Sequence, residues 1–344
     1  MNVACHPFSV GLDPALETSD GRLETRNGWI VQIEAAAGGF GEAAPLPGFT
    51  ESPEITESAL GTALEALEAD ALPDAYGAVA AAPAARHAVA TAILDDRARS
   101  KGDPLYRELG GREPIEDVPV NATVGDGPPT ETLAAVEDAL ERGFETVKVK
   151  VGARSLEADL QRIDRVIESV DRSIDLRIDV NGAWDAETAR SAIDRIPTDR
   201  ISLLEQPLPA ADLEGHRGLR GRVPIGLDES LRAHPPADVI RSGAADAVVL
   251  KPMALGGPDV ARALAREALR RGVEPIVSNT IETAVGRTTA LHVAASLPRR
   301  SPAGLATADR LSDDVAADPT QVEDGRMRVP GKPGLGIGEV RTDA

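Results

Sequence analysis

The chain has 344 residues, 42% of them apolar but only 2% aromatic, so its core must be built from Ala, Val, Leu and Ile. A formal charge of −19 argues against nucleic acid or an anionic membrane as the main partner, since binding either favours basic surface. The single cysteine, Cys5, rules out an intrachain disulfide, and no apolar run approaches the ~20 residues that span a bilayer. Met1–Val10 lacks a charged segment followed by a long apolar core, so the expected location is the cytoplasm.

Strand-like segments open the chain at 2–10 and 23–35, and the pair Asn27-Gly28 suits a tight hairpin turn. A Gly- and Pro-rich loop follows from Gly38 to Pro53, where Gly38-Gly39-Phe40-Gly41 reads as turn chemistry. Helical patterns then cover 54–70 and 83–99, giving an α+β region over residues 1–114. From 115 to 314 the rhythm changes to alternation. Strands are expected at 118–123, 146–151, 175–181, 201–206, 224–228, 247–251, 274–279 and 304–307. Helices are expected at 130–142, 156–169, 186–196, 236–241, 258–271 and 281–296.

Eight short apolar strands alternating with helices predict a TIM barrel rather than a doubly wound open sheet. The open sheet would carry a phosphate-binding glycine fingerprint after its first strand, and residues 124–129 match it poorly. The last segment, 315–344, contains Pro333-Gly334-Leu335-Gly336-Ile337-Gly338, which reads as a strand or turn returning to the first domain.

Only five of the 37 basic residues are lysine, yet three of those five stand near predicted strand ends. Lys148 and Lys150 lie in Val-Lys-Val-Lys-Val and Lys251 in Val-Val-Leu-Lys-Pro, with Asp179, Glu205 and Asp228 between them. Alternate residues share one face of a strand, so Lys148 and Lys150 point together, as do Arg177, Asp179 and Asn181. Steps of 29, 26, 23 and 23 residues from Lys150 to Lys251 place one charged residue per barrel unit, at the mouth where barrel active sites assemble.

Three carboxylates from adjacent strands make an oxygen-rich site suited to Mg²⁺. A lysine beside such a cation is expected to lose its proton more readily and to act as a base towards a carbon next to a carboxylate. Taken singly, a Lys-x-Lys pair reads as a solvated face and each acid as a cap or surface charge. The joint order of the strand ends is what outweighs those readings. A Schiff-base aldolase would need one buried lysine and no carboxylate triad, and the five histidines show no ligand spacing for zinc.

With these residues the sequence resembles the enolase superfamily, in its muconate-lactonising-like subgroup. That subgroup carries Lys-x-Lys, Asp, Glu, Asp and Lys on its second to sixth barrel strands. The resemblance extends to 40–47 (Phe-Gly-Glu-Ala-Ala-Pro-Leu-Pro), similar to a capping-domain loop, and to 104–111, similar to an interdomain helix. It implies a (β/α)7β-type barrel whose N-terminal α+β capping domain is completed by the C-terminal segment.

Within the subgroup, Ser278-Asn279-Thr280-Ile281-Glu282-Thr283 and Gly304-Leu305-Ala306-Thr307 resemble segments of the o-succinylbenzoate synthase family. That resemblance implies a lyase of menaquinone synthesis, dehydrating 2-succinyl-6-hydroxy-2,4-cyclohexadiene-1-carboxylate. Lys150 would be the base, Lys251 a stabilising cation and Lys148 a tuning group. Asp179, Glu205 and Asp228 would hold Mg²⁺, with Mn²⁺ as a substitute. Arg177, Asn181, Ser278, Asn279 and Phe49 are candidate contacts to the small-molecule carboxylate substrate.

Dipeptide epimerases and N-acylamino acid racemases of the subgroup share the lysines and acids. Epimerases typically carry Asp-x-Asp near the eighth strand, where this chain reads Thr307-Ala308-Asp309. A homo-oligomer is compatible with the sequence. The acidic, arginine-over-lysine composition resembles that of cytoplasmic proteins from salt-loving microbes.

Overall fold

The computed structural model describes residues 1–18, 21–298 and 301–341, so the last three residues of the expected C-terminal segment lie outside it. It opens with an antiparallel sheet in the order β1 (Asn2–Thr18), β2 (Gly21–Glu34), β3 (Gly39–Ala43). The expected turn at Asn27-Gly28 is not there. Asn27 pairs with Ser9 and Gly28 with Phe8 in the middle of the β1–β2 ladder, because the first strand runs on to Thr18. Glycine stands at 28 for closeness instead: a Cβ would lie 2.3 Å from the Ala43 carbonyl oxygen and 2.7 Å from the Phe8 ring.

The Gly38–Gly41 cluster is corrected in the same way. Gly38 does make a turn, with φ +79, but Gly39 and Gly41 lie within β3. Their missing side chains let helix α3 (Pro83–Lys101) settle onto the strand, where a Cβ at Gly41 would sit 1.9 Å from the Ala88 oxygen. That helix is lined with alanine and is buried along most of its length, from Ala84 to Ala98. Ahead of it come α1 (Pro53–Glu68), capped by the Ser52 hydroxyl, and an unexpected short helix α2 (Leu72–Ala78). The short α4 (Leu105–Glu108) follows α3.

The second layer system is a curled sheet of seven strands, all parallel, in the order β11-β10-β9-β8-β7-β6-β5. The expected first barrel strand is split. β4 (Asp117–Pro119) leaves to pair with β13 (Arg326–Arg328), itself paired with β12 (Val322–Glu323), and only β5 (Ala122–Val124) stays in the barrel. Then follow α5 (Pro129–Glu141), β6 (Thr146–Lys150), α6 (Leu156–Ser169), β7 (Asp175–Asp179), α7 (Ala186–Arg195) and β8 (Ile201–Glu205). The chain continues through α8 (Leu213–Leu219), β9 (Ile225–Leu227), α9 (Ser230–Ala233), α10 (Pro236–Arg241), β10 (Ala247–Leu250), α11 (Pro252–Leu255), α12 (Pro258–Arg270), β11 (Glu274–Val277) and α13 (Ala284–Ala295).

The eighth strand is reduced to two single bridges, Ser278 with Gly304 and Val120 with Ala303, which close the barrel between its edges. Helix α13 starts three residues later than expected because Ile281 has φ +63, a region that β-branched residues rarely enter, and Thr283 takes the cap position.

Two apolar cores result. One fills the space between the barrel strands and their helices; the other joins the first sheet to α1–α3 and takes in Leu335, Ile337 and Val340 from the chain's end. The glycine-rich tail is anchored there by Leu335 N–H donating to Asp95 at 2.6 Å and Leu105 N–H donating to the Gly334 carbonyl at 2.7 Å. Among the described residues no helix is long and apolar enough to cross a membrane.

Buried contacts tie the N-terminal sheet to the barrel. The Glu42 carboxylate on β3 accepts from Thr283 N–H at 3.1 Å, Thr283 Oγ1 at 2.6 Å and Gly286 N–H at 2.7 Å, capping α13 from across the interface. Arg86 on α3 grips Asp259 at the start of α12 with two hydrogen bonds of 3.0 and 2.8 Å.

Candidate active site

Register gathers the charged residues. Lys148 pairs across the sheet with Arg177, Lys150 with Asp179, and Asp179 with Glu205, while Asp228 and Lys251 immediately follow β9 and β10. All six therefore stand at the end of the barrel where the strands leave it. Asp179, Glu205 and Asp228 are 1%, 2% and 7% exposed, far more buried than carboxylates usually are.

The structure pairs two of the lysines with the acids. Lys148 Nζ donates to Asp179 Oδ2 at 2.9 Å and to Glu205 Oε1 at 3.0 Å, and Lys251 Nζ donates to Asp228 Oδ2 at 2.5 Å. The Lys150 amine makes no hydrogen bond or ion pair among the described residues, although its carbonyl accepts from Arg162 at 3.2 Å. Lys150 is the one lysine of the three whose amine is free to meet a substrate.

Burial opposes charge on Lys148, but Asp179 and Glu205 outweigh it and hold the ammonium above its ordinary range. Lys251 is raised likewise, with Asp228 and Glu229 overcoming its burial. These directions hold for the site without a divalent cation, whereas the expectation of a readily deprotonated lysine is for a lysine beside one. With carboxylates as their nearest neighbours, Lys148 and Lys251 gain protons more readily. Burial pushes Asp228 up to about 6 despite Lys251, and burial together with Asp179 pushes Glu205 up. Asp179 alone is held low, because Lys148 and Lys150 outweigh its burial.

The candidate contact residues divide. Phe49 reaches the site, its ring centre 4.1 Å from Lys251 Nζ. Asn181 lies at the rim, donating from its side-chain amide to Glu229 at 3.1 Å. Ser278 donates to the Gly304 carbonyl at 3.1 Å and Asn279 to Thr307 Oγ1 at 2.8 Å, so both brace the barrel's closing segment. Arg177 is buried inside the barrel and donates to the Pro302 carbonyl at 2.8 Å and to Asn121 Oδ1 at 3.5 Å.

Sequence reasoning passed over Gln206. Held in left-handed backbone at φ +40, it accepts from Asp228 N–H at 3.0 Å and Ser230 N–H at 3.2 Å, which fixes the start of the loop bearing Asp228. Its place directly after Glu205 was the available signal. Glu229 was also passed over, and one of its carboxylate oxygens is buried without a partner.

The donor set is all oxygen, supplied by three consecutive strands, and its like charges raise Glu205; both features fit a hard divalent cation. As the side chains stand, however, lysine ammonium groups sit against these carboxylates. No three His, Cys, Asp or Glu side chains among the described residues converge closely enough to enclose an ion.

Residues 131–343 match the family described as "Enolase C-terminal domain-like", and residues 1–94 match "MenC, N-terminal domain". The L-Ala-D/L-Glu epimerase of Bacillus subtilis is 33% identical over 96% of this chain and 94% of its own length. Its substrate-liganded structure superposes with TM-score 0.88 at 31% identity, covering 99% of both chains. An o-succinylbenzoate synthase of Thermobifida fusca is 41% identical over 62% of this chain and 67% of its own length. The dipeptide epimerase of Enterococcus faecalis, solved with Mg and the dipeptide L-Leu-L-Tyr, superposes with TM-score 0.89 at 27% identity over 98% of this chain and 99% of its own. Strand order, the ordered charges at the strand ends and matches spanning nearly the whole length converge on one conclusion: the chain belongs to the enolase superfamily, in its muconate-lactonising-like subgroup, with a MenC-like N-terminal domain.

Proposed function

We propose that this chain removes the proton from a carbon adjacent to a substrate carboxylate, with the Lys150 amine as the base. The observation that carries this reading is the division of labour among the lysines: Lys148 and Lys251 donate hydrogen bonds to the acids, and the Lys150 amine donates none among the described residues. Asp179, Glu205 and Asp228 are the residues that would hold a divalent ion, Mg²⁺ by their donor chemistry. When bound, such an ion supplies positive charge against the negative charge that develops on the substrate carboxylate.

Lys150 accepts the proton, and the carbon–hydrogen electron pair moves into the carboxylate. Lys148 holds Asp179 and Glu205 in place. Lys251, kept protonated beside Asp228, presents a cation or a proton donor from the other flank.

Two outcomes fit that step. In dehydration the electron pair returns to expel the neighbouring hydroxyl as water, and a cyclohexadiene carboxylate becomes o-succinylbenzoate. The N-terminal family match and the 41% identical synthase support this, as does Asp309, which pairs with Arg142 at 2.9 Å in an exposed ion pair. In epimerisation of a dipeptide, or racemisation of an N-acylamino acid, Lys251 returns a proton to the opposite face. The comparisons weigh towards this second outcome, because epimerases and a racemase stand among the relatives aligned over nearly the whole chain, beside muconate cycloisomerases, whereas the synthase aligns over 62% of it.

One assay separates them. Purified protein is given 2-succinyl-6-hydroxy-2,4-cyclohexadiene-1-carboxylate, L-Ala-L-Glu and N-succinylamino acids in D2O, with Mg²⁺ or with EDTA. Aromatisation, seen in the ultraviolet, establishes dehydration; deuterium entering the α-carbon of the amino acid substrates establishes epimerisation. No metal-dependent exchange into any of them rejects the proton-abstraction reading.

A further inference from the structure

A cavity of about 620 Å³ opens beside the site on the flank of Lys251 and Asp228, between the segments that follow β9 and β10. Its walls are largely apolar, with Phe49, Leu231 and Leu255 among them, and Arg232 and His234 also line it. The charges at its inner end satisfy each other through the Lys251–Asp228 pair. His234 is turned to the Ala211 carbonyl at 3.3 Å. Arg232 is exposed, and its guanidinium makes no hydrogen bond or ion pair among the described residues. The other arginines between β8 and β10 are paired: Arg217 with Glu214, Arg220 with Asp246, Arg222 with Asp194 and Arg241 with Glu267. In a chain of net charge −19, an arginine without an acid on the wall of a cavity that reaches the site calls for an anion from elsewhere.

We propose that this cavity is a subsite for the far end of the substrate, accepting an apolar linker along Phe49, Leu231 and Leu255 and a second carboxylate at Arg232. The inference rests on the proton-abstraction reading and narrows its substrate class to dicarboxylates, with the reacting carboxylate between the lysines and the other some carbons away. A guanidinium can take a carboxylate through two parallel N–H donors, whereas the walls offer a neutral end group nothing polar in exchange for its water. Both succinyl-bearing substrates and glutamate-containing dipeptides have this form, so the subsite does not presuppose which outcome follows proton removal.

The test uses the whole protein with Mg²⁺ and two inert probes, benzylsuccinate with two carboxylates and 3-phenylpropanoate with one, their binding measured by calorimetry. The wild type is expected to bind benzylsuccinate at least tenfold more tightly. Arg232→Gln should erase that preference, and Arg232→Lys should restore part of it, while thermal midpoints confirm that both variants fold. Equal preference in wild type and Arg232→Gln, or no preference in the wild type, overturns the subsite. Deuterium exchange into the substrates named above is read in parallel. Exchange by a wild type that shows no probe preference sinks the subsite alone, and absence of exchange sinks the functional reading beneath it.

Discussion

The Lys251 ammonium stands 4.1 Å from the centre of the Phe49 ring, a cation from the barrel covered by an aromatic face from the N-terminal region. Such a contact contributes ~0.5–2 kcal/mol and grows as water is excluded. It leaves Lys251 held by Asp228 and Phe49, whereas Lys150 has no such partner.

That asymmetry predicts different responses to the same substitution. Lys150→Arg keeps the charge but removes the only base, because a guanidinium does not deprotonate, so turnover should fall at least ~10³-fold. Lys251→Arg should retain measurable activity if only a cation is required there, as in dehydration. Equal, near-complete losses in steady-state rates would instead identify a two-base epimerase or racemase.

Lys148 neutralises two buried acids at once, so its removal should act on stability before chemistry. Lys148→Met leaves Asp179 and Glu205 buried side by side without their shared cation, and breaking a buried pair typically costs about 3–5 kcal/mol. Urea unfolding in EDTA should show a loss of that order. Part of it should return when Mg²⁺ is added, since a divalent ion can replace the missing charge. A variant as stable as the wild type in EDTA would contradict this account.

Glu42 makes a pH prediction with a definite sign. Burial pushes its carboxyl up to about 7 even though Thr283 and Gly286 donate to it, whereas the unfolded side chain titrates near 4.5. Between those values the folded state binds more protons than the unfolded one, so stability should fall as pH rises from 4.5 to 7. The contribution lost is on the order of 3 kcal/mol. Unfolding free energies measured across this range should show a flatter profile for Glu42→Gln. A variant curve parallel to that of the wild type would assign the slope to other groups.

Gly41→Ala tests close packing. The added methyl would fall 1.9 Å from a backbone oxygen of α3, which cannot move without shifting the helix. Overpacking of this kind costs about 1–3 kcal/mol or more, and here it should also pull α3 away from α12 through Arg86. Thermal unfolding should register it, whereas Gly61→Ala, with open space at its Cβ, should be nearly neutral or better.

Much of the site could be read from the chain because each charged residue ends an apolar run, and a charge there has few places to go except the barrel mouth. Lys150, Asp179, Glu205, Asp228 and Lys251 were visible in this way. The partners of those residues were not. That Lys148 binds two acids depends on side-chain reach rather than on pattern.

Arg26, which donates to the carbonyls of Ala44, Pro45 and Ile281, and Glu42, which meets Thr283 some 240 positions away, belong to no local periodicity. The first hairpin misled because Asn27-Gly28 has the residues of a turn, yet Gly28 is needed for its closeness to Phe8 and Ala43. The weak eighth strand looked longer in sequence than it is, since an apolar run cannot reveal that only Ala303 and Gly304 bridge their neighbours.

The Glu42 cap on α13 also bears on how such chains can be recombined. A helix in the barrel takes its first-turn hydrogen bonds from a strand of the other unit, so the two halves are matched parts rather than modules. A chimera that borrowed its first hundred residues from a relative would need an acid at position 42 and a hydroxyl at 283. Without both, the graft would join two sound pieces across a helix end left without its acceptor. Specificity taken from one relative and chemistry from another would then have to pass through this seam, which makes the Glu42–Thr283 pair the first place to look when such hybrids fail.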